Sequence, residues 1–192
     1  MLRRMLLAVL GAAALVGLAL ATGGMIGVSV PARASDTGAA VQVADAHRRA
    51  PEITGIAHWL NSNPVSLASL RGKVVLVNFW TYGCINCVHT LPHVVKLYEK
   101  YKDRGFVVIG VHAPEFAYEK STENVAAAIK RHGIRYPVAQ DNNFATWNTY
   151  GNQYWPAQYI VDQRGRIVYQ HAGEGAYDTI DDTVRRLLSR SS

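Results

Sequence analysis

Cysteine is nearly absent from this chain: its 192 residues include two, Cys84 and Cys87. That excludes a framework of crossing disulfides. A bridge between residues three apart closes so short a loop that it would staple almost nothing. The pair can therefore hold two thiols, one redox-active disulfide or a metal ion. Runs of basic residues are also missing, although the formal charge is +6. A dispersed excess of this kind gives no case for a nucleic-acid partner. Internal repeats and low-complexity tracts are absent too. No cysteine lies near the end of the N-terminal apolar segment, which excludes a lipoprotein anchor there.

That apolar segment is the first positive feature. Arg3 and Arg4 precede a charge-free run from Met5 to Pro31, and Ala32-Arg33-Ala34 precedes Ser35. This is the layout of a secretory leader with a small-x-small cleavage site. The run is also long enough to span a bilayer, for which about 20 apolar residues suffice. Residues 1–34 are thus expected to be a signal peptide or an N-terminal membrane anchor. The body of the chain is expected outside the cytosol, periplasmic or secreted. Cleavage would remove three arginines and no acid, lowering +6 to +3. Residues 35–50 are small, polar and charged, as in a flexible spacer. Residues 51–192 then suit one domain with one core.

Within that domain, residues 53–60 and 65–70 read as two short strands around the turn signal Asn61-Ser62-Asn63-Pro64. Val74 to Trp80 is a near-continuous β-branched and aromatic run, as a strand buried on both faces requires. A helix should begin at Cys84 and run to about Asp103. Val88, Leu91, Val95 and Tyr98 would lie on one face, and Pro92 should kink it. Phe106 to Val111 reads as a second buried strand. Ser121 should cap a helix that ends near His132, with Gly133 stopping it. A strand over 136–140 and a loop with a short helix over 141–151 follow. Next come a hairpin over 157–170 and a closing helix over 177–189. The order is that of an α/β fold with helices packed on a largely parallel core sheet.

The chemistry should gather at one edge of that sheet. Cys84 follows the first buried strand and His112-Ala113-Pro114-Glu115 follows the second. Parallel strands would bring both loops to the carboxyl edge, where open α/β sheets place their sites. An antiparallel strand starting at Ala157 would bring Trp155-Pro156 to the same edge. Cys84, at a helix N-terminus, is the expected nucleophile, because the macrodipole and free N–H groups favour its thiolate. Cys87, one turn inside, is the expected resolving thiol. Glu115 is either a proton handler for Cys87 or a solvated loop residue. Trp80 and Tyr82, with Trp155, are candidates for an aromatic rim that receives a substrate polypeptide, though Trp80 could equally pack in the core. His89, His93 and His112 leave a metal reading open, with Cys84, Cys87 and a histidine around Cu(I) or Zn(II). Asn142, Asn143, Trp147, Tyr150 and Trp155 are a weaker candidate for a ligand groove.

Trp80-Thr81-Tyr82-Gly83-Cys84-Ile85-Asn86-Cys87, with Pro92 five residues on, resembles the thioredoxin superfamily. Gly110 to Phe116, 136–150, Tyr154 to Ala157 and Gly173-Glu174-Gly175 narrow the resemblance. They are similar to the exported TlpA-like branch, and within it to the thioredoxin-like domain of DipZ-type proteins. The resemblance spans roughly 53–188. It implies a thioredoxin fold, with a central mixed sheet flanked by helices, an N-terminal β-hairpin, and an insertion between the βαβ and ββα halves. It also implies a cis Pro156 against the cysteine pair. The implied activity is protein thiol–disulfide exchange, mostly reductive, with disulfide-bearing protein substrates and a membrane electron donor. The protein is expected to act as a monomer without cofactor or bound metal. A disulfide-forming oxidase and a copper-binding carrier are the rivals. Copper carriers of this fold resemble C-x-x-x-C instead. Two departures stand out. DipZ-type proteins carry a multi-spanning membrane domain, whereas this sequence has at most one span. Better-known TlpA-like reductases resemble W-C-x-P-C with a glutamate three residues on, whereas here Asn86 replaces the proline and Thr90 the acid. The acid's role, if kept, must be filled from elsewhere.

Overall fold

The structure is a computed structural model that describes residues 48–190. The expected leader over 1–34, and 35–47 of the expected spacer, lie outside the described residues. Residues 48–50 are fastened to the domain. Ala50 is buried and donates to the Gly165 carbonyl at 2.9 Å, and Ile167 donates to the Arg48 carbonyl at 2.9 Å.

Six strands form one mixed sheet in the order β1-β4-β3-β2-β5-β6. They are β1 (His58–Leu60), β2 (Val74–Trp80), β3 (Phe106–His112), β4 (Val138–Gln140), β5 (Ala157–Val161) and β6 (Ile167–Ala172). β2, β3 and β4 are parallel neighbours, while β5 pairs antiparallel with β2 and β6 antiparallel with β5. Every residue of β2 is buried, as its unbroken apolar run requires of a strand covered on both faces. The helices are α1 (Ile85–Tyr101), α2 (Thr122–Arg131), α3 (Ala145–Thr149) and α4 (Tyr177–Ser189). One face of the sheet packs on α1, α2 and α4 through Leu76, Leu91, Val94, Ile129, Ile180 and Val184. The other is covered by the N-terminal segment and α3 through Leu67, Phe79, Ile109 and Trp147. α2, β4 and α3 are the insertion between the β2-α1-β3 and β5-β6-α4 halves.

Most elements match the sequence reading, down to Ser121, whose hydroxyl accepts from Asn124 N at the start of α2. The N-terminal hairpin does not form. β1 is three residues long and pairs with β4. Gly55 at φ 65° turns the preceding chain away from extended geometry. Residues 65–70 are not a strand either, because Ala68–Leu70 is a 3-10 turn. Ser66 Oγ accepts from Ser69 N, and the Glu52 carboxylate accepts from Leu67 N and Ala68 N at 2.8 and 2.9 Å. Local side-chain acceptors have outcompeted pairing at a sheet edge. The buried face of α1 is Cys87, Thr90, Leu91, Val94, Leu97 and Tyr101. Val88, Val95 and Tyr98, placed at its centre by the sequence reading, lie at its border and are half-buried. Pro92 sits on the exposed side of a helix that continues through it.

Candidate active site

The parallel register sets Trp80 beside His112, so the loops after β2 and β3 leave the same edge. The antiparallel register sets Phe79 beside Ala157, which brings the start of β5 to that edge as well. Three segments distant in sequence therefore meet around Cys84.

Cys84 is the N-cap of α1, with extended backbone (φ −84°, ψ 119°), and Val88 N closes the first helical turn on its carbonyl at 3.1 Å. Its side chain is half-buried and makes no capping bond. The thiol instead points at the Trp155 carbonyl, 3.7 Å away. The Trp155–Pro156 peptide bond is cis. The Trp155 indole donates to the Ala113 carbonyl at 3.0 Å, tying this loop to the one after β3. Cys87 is fully buried, and both cysteines are free thiols. Burial pushes the Cys87 thiol well above the usual range. A Thr81 backbone hydrogen bond opposes this, while Cys84 and the charge of Glu115 push further upward. Glu115 itself is exposed. The asymmetry is the one an attacking and a resolving thiol need: one sulfur reachable, the other protonated until a base acts.

Glu119 was not anticipated from the sequence. Its side chain is fully buried. One carboxylate oxygen accepts from Gly83 N at 2.8 Å, and the other from Glu115 N at 2.6 Å and Phe116 N at 3.0 Å. One side chain thus clamps the residue before Cys84 to the loop after β3. A Cβ at Gly83 would overlap Glu119 Oε1, so any larger residue there must displace the clamping carboxylate. The available signal was a glutamate three residues past Phe116, placed to reach back to the first N–H of a helical turn. Thr90 holds no comparable role, since its buried hydroxyl lies 3.4 Å from the Tyr177 hydroxyl.

The other candidates divide between the core, the neighbourhood of Cys84 and the surface. Trp80 is fully buried and meets His112 edge-on at 5.3 Å, so it is core and not rim. Tyr82 stacks on His112 at 5.6 Å and donates to the Tyr118 carbonyl at 3.1 Å. Trp147 and Tyr150 are buried around Phe79, which dissolves the proposed groove. The three histidines do not converge. His89 pairs with Glu174 at 3.2 Å, His93 stacks on Tyr177 at 3.7 Å, and His112 is buried with Nε2 3.4 Å from Thr81 Oγ1. Among the described residues no cluster of three or more histidine, cysteine or acidic side chains is arranged for a metal ion. A cavity of about 240 Å³ lies between α1 and α4, lined by His93, Leu97, Gln158, Tyr177 and Asp181, apart from the cysteines.

Burial lowers the His112 pKa to about 4, with Glu119 opposing more weakly. An unfolded histidine titrates near ~6.5. Below that pH the unfolded chain takes a proton that the folded chain refuses, so stability falls as pH drops towards 4. The full effect is on the order of 3 kcal/mol. His112→Gln should flatten this part of the profile. Urea unfolding of both forms at pH 4.5 and 7 checks it, and equal pH dependence would contradict a buried neutral imidazole.

A family model described as Redoxin matches residues 45–186. The chain is 52% identical over 143 residues to Protein DipZ of Mycobacterium tuberculosis (strain CDC 1551 / Oshkosh), covering 73% of this chain and 21% of that protein. It thus spans about a fifth of the length of that relative. It is 28% identical over 141 residues to Thiol-disulfide oxidoreductase YkuV of Bacillus subtilis (strain 168), covering 73% of this chain and 95% of that one. A solved thioredoxin-like protein in the oxidized form superposes with a TM-score of 0.70 at 28% identity, covering 77% of this chain and 99% of the other. With this sheet order, a cysteine pair at the start of α1 and a cis Trp155–Pro156 bond whose carbonyl faces Cys84, the chain belongs to the Redoxin family and is a TlpA-like member of the thioredoxin superfamily.

Proposed function

We propose that this protein is an extracytoplasmic thiol–disulfide oxidoreductase that reduces disulfides in other proteins. The observation that carries the reading is the pairing of a reachable Cys84 at the start of α1 with a buried, protonated Cys87 one turn inside. In the first step the Cys84 thiolate attacks one sulfur of a substrate disulfide. A Cys84–substrate disulfide forms, and the other substrate sulfur leaves as a thiolate and takes a proton. Cys87 then gives up its proton and attacks Cys84. The bond to the substrate breaks, its second sulfur leaves as a thiolate, and the Cys84–Cys87 disulfide remains. The substrate has gained two electrons and the protein has lost two. Glu115, whose charge already acts on Cys87, is the proposed acceptor of the Cys87 proton. Tyr82 and Trp155 flank the approach, with Pro156 beneath it.

A membrane electron donor would restore the dithiol, and the apolar stretch Met5 to Pro31 would deliver the domain to the donor's side of the membrane. Direction follows from the reduction potential of the pair, measured in dithiothreitol buffers. A value near about −270 mV supports the reductase, and one near about −120 mV would make the protein an oxidase. Tight stoichiometric Cu(I) binding without a two-electron couple would replace both with a carrier.

A further inference from the structure

Four large apolar side chains are exposed among the described residues: Ile85 (62%), Phe116 (49%), Tyr118 (57%) and Tyr154 (59%). All four border the cysteine site. Ile85 follows Cys84, and Tyr154 precedes the residue whose carbonyl receives the Cys84 thiol. Tyr118 meets the Tyr82 ring at 6.2 Å, and Phe116 stacks on Tyr118 at 5.6 Å with the rings 4° from parallel. Rings thus step outward from Tyr82, two residues before the nucleophile, to an exposed pair of parallel rings.

The turn that carries this pair is firmly held. Phe116 N and Glu115 N donate to buried Glu119, and the Phe116 carbonyl accepts from Glu119 N at 3.0 Å. The Tyr118 carbonyl accepts from both Tyr82 and Asn124. These bonds fix a 3-10 turn over Ala117–Lys120, which is not an extended strand for an incoming chain to pair with. What it presents outward is ring surface. Contiguous exposed apolar surface of this kind marks an interaction site, and rigid aromatic rings anchor partners at low entropic cost.

We propose that the Phe116–Tyr118 pair is a docking platform for an extended, unfolded polypeptide that carries an aromatic or large aliphatic side chain near its disulfide. The proposal rests on the thiol–disulfide exchange reading above. The occupant must bring a sulfur to Cys84, because the patch is laid out around that thiol. It must also reach outward: steps of 6.2 and 5.6 Å separate Tyr82 from Phe116. An extended chain at about 3.3 Å per residue covers that path in about four residues, whereas a small disulfide does not. A membrane surface fits less well, since the carboxylate of Glu115 is exposed beside the pair.

The test compares two cystine peptides, identical except for Phe or Ser four residues from the cysteine, with glutathione disulfide as the small reference. The full chain is reduced first, and exchange is followed by tryptophan fluorescence. In this single turnover the wild type should prefer the Phe peptide about tenfold in second-order rate constant, mainly through a lower half-saturating peptide concentration. Phe116→Ala/Tyr118→Ala should bring the Phe/Ser ratio close to one. Phe116→Tyr/Tyr118→Phe should restore the preference, which a merely collapsed turn would not. Lack of preference in the wild type, or full preference in the alanine variant, overturns the platform. So does binding to phosphatidylglycerol vesicles that the alanine variant loses while its peptide ratio stays at the wild-type value. A wild type that exchanges with neither peptide nor glutathione disulfide would instead defeat the oxidoreductase reading itself.

Discussion

Glu119→Ala should destabilise the protein by roughly 3 kcal/mol, a large effect for a residue that touches neither sulfur. The substitution removes the acceptor of three backbone N–H groups at Gly83, Glu115 and Phe116. Leaving a buried donor unpaired costs about 1–3 kcal/mol each, and bonds to a carboxylate are the stronger kind. Partial opening of the turn to water offsets some of the sum. That opening also frees Gly83, which sets the start of α1 and the aim of Cys84, so thiol–disulfide exchange should slow about tenfold. Glu119→Gln keeps the shape but turns one acceptor into a donor, and should show a smaller loss of both quantities. Urea unfolding and single-turnover exchange on the three proteins measure these effects. An alanine variant within about 0.5 kcal/mol of wild type would mean that the clamp is not needed.

How much of this was legible beforehand follows from the kind of signal each feature leaves. β2 and β3 are legible because a strand covered on both faces must be apolar throughout, and Val74–Trp80 and Phe106–His112 are nearly so. Convergence of the loops after them on the start of β5 follows from strand direction alone. The face of α1 was harder to read. Apolar spacing favoured Val88, Leu91, Val95 and Tyr98, but the sheet buries Cys87 and Thr90, and the stripe rotates to Val94 and Leu97. Which side faces inward is a tertiary decision that periodicity only approximates. The N-terminal hairpin failed for a similar reason: nothing in residues 53–70 reveals that Glu52 and Ser66 will compete for the backbone there. Trp80 was an ambiguous aromatic, and its strand register places it inside. Glu119 stayed hidden because a clamping carboxylate reads as an ordinary charged loop residue until the segments it joins, 36 positions apart, are brought together.

The proposed exchange divides its labour between two sulfurs, and single-cysteine trapping separates them. Cys84 should remain reactive without Cys87, since it stays reachable at the start of α1. With Cys87→Ser, attack on a protein disulfide stops at the mixed disulfide, because no internal thiol remains to displace the partner. Covalent adducts should accumulate, release with dithiothreitol, and yield their substrates to mass spectrometry. With Cys84→Ser the remaining thiol is fully buried and strongly disfavoured as a thiolate, so adducts should be at least tenfold fewer. The deciding measurement is the amount of dithiothreitol-releasable adduct formed by each variant of the full chain with a reporter protein disulfide such as insulin. Abundant adduct with Cys87→Ser and little with Cys84→Ser is the predicted result. The opposite ratio, or none with either, would contradict the assignment of Cys84 as the nucleophile.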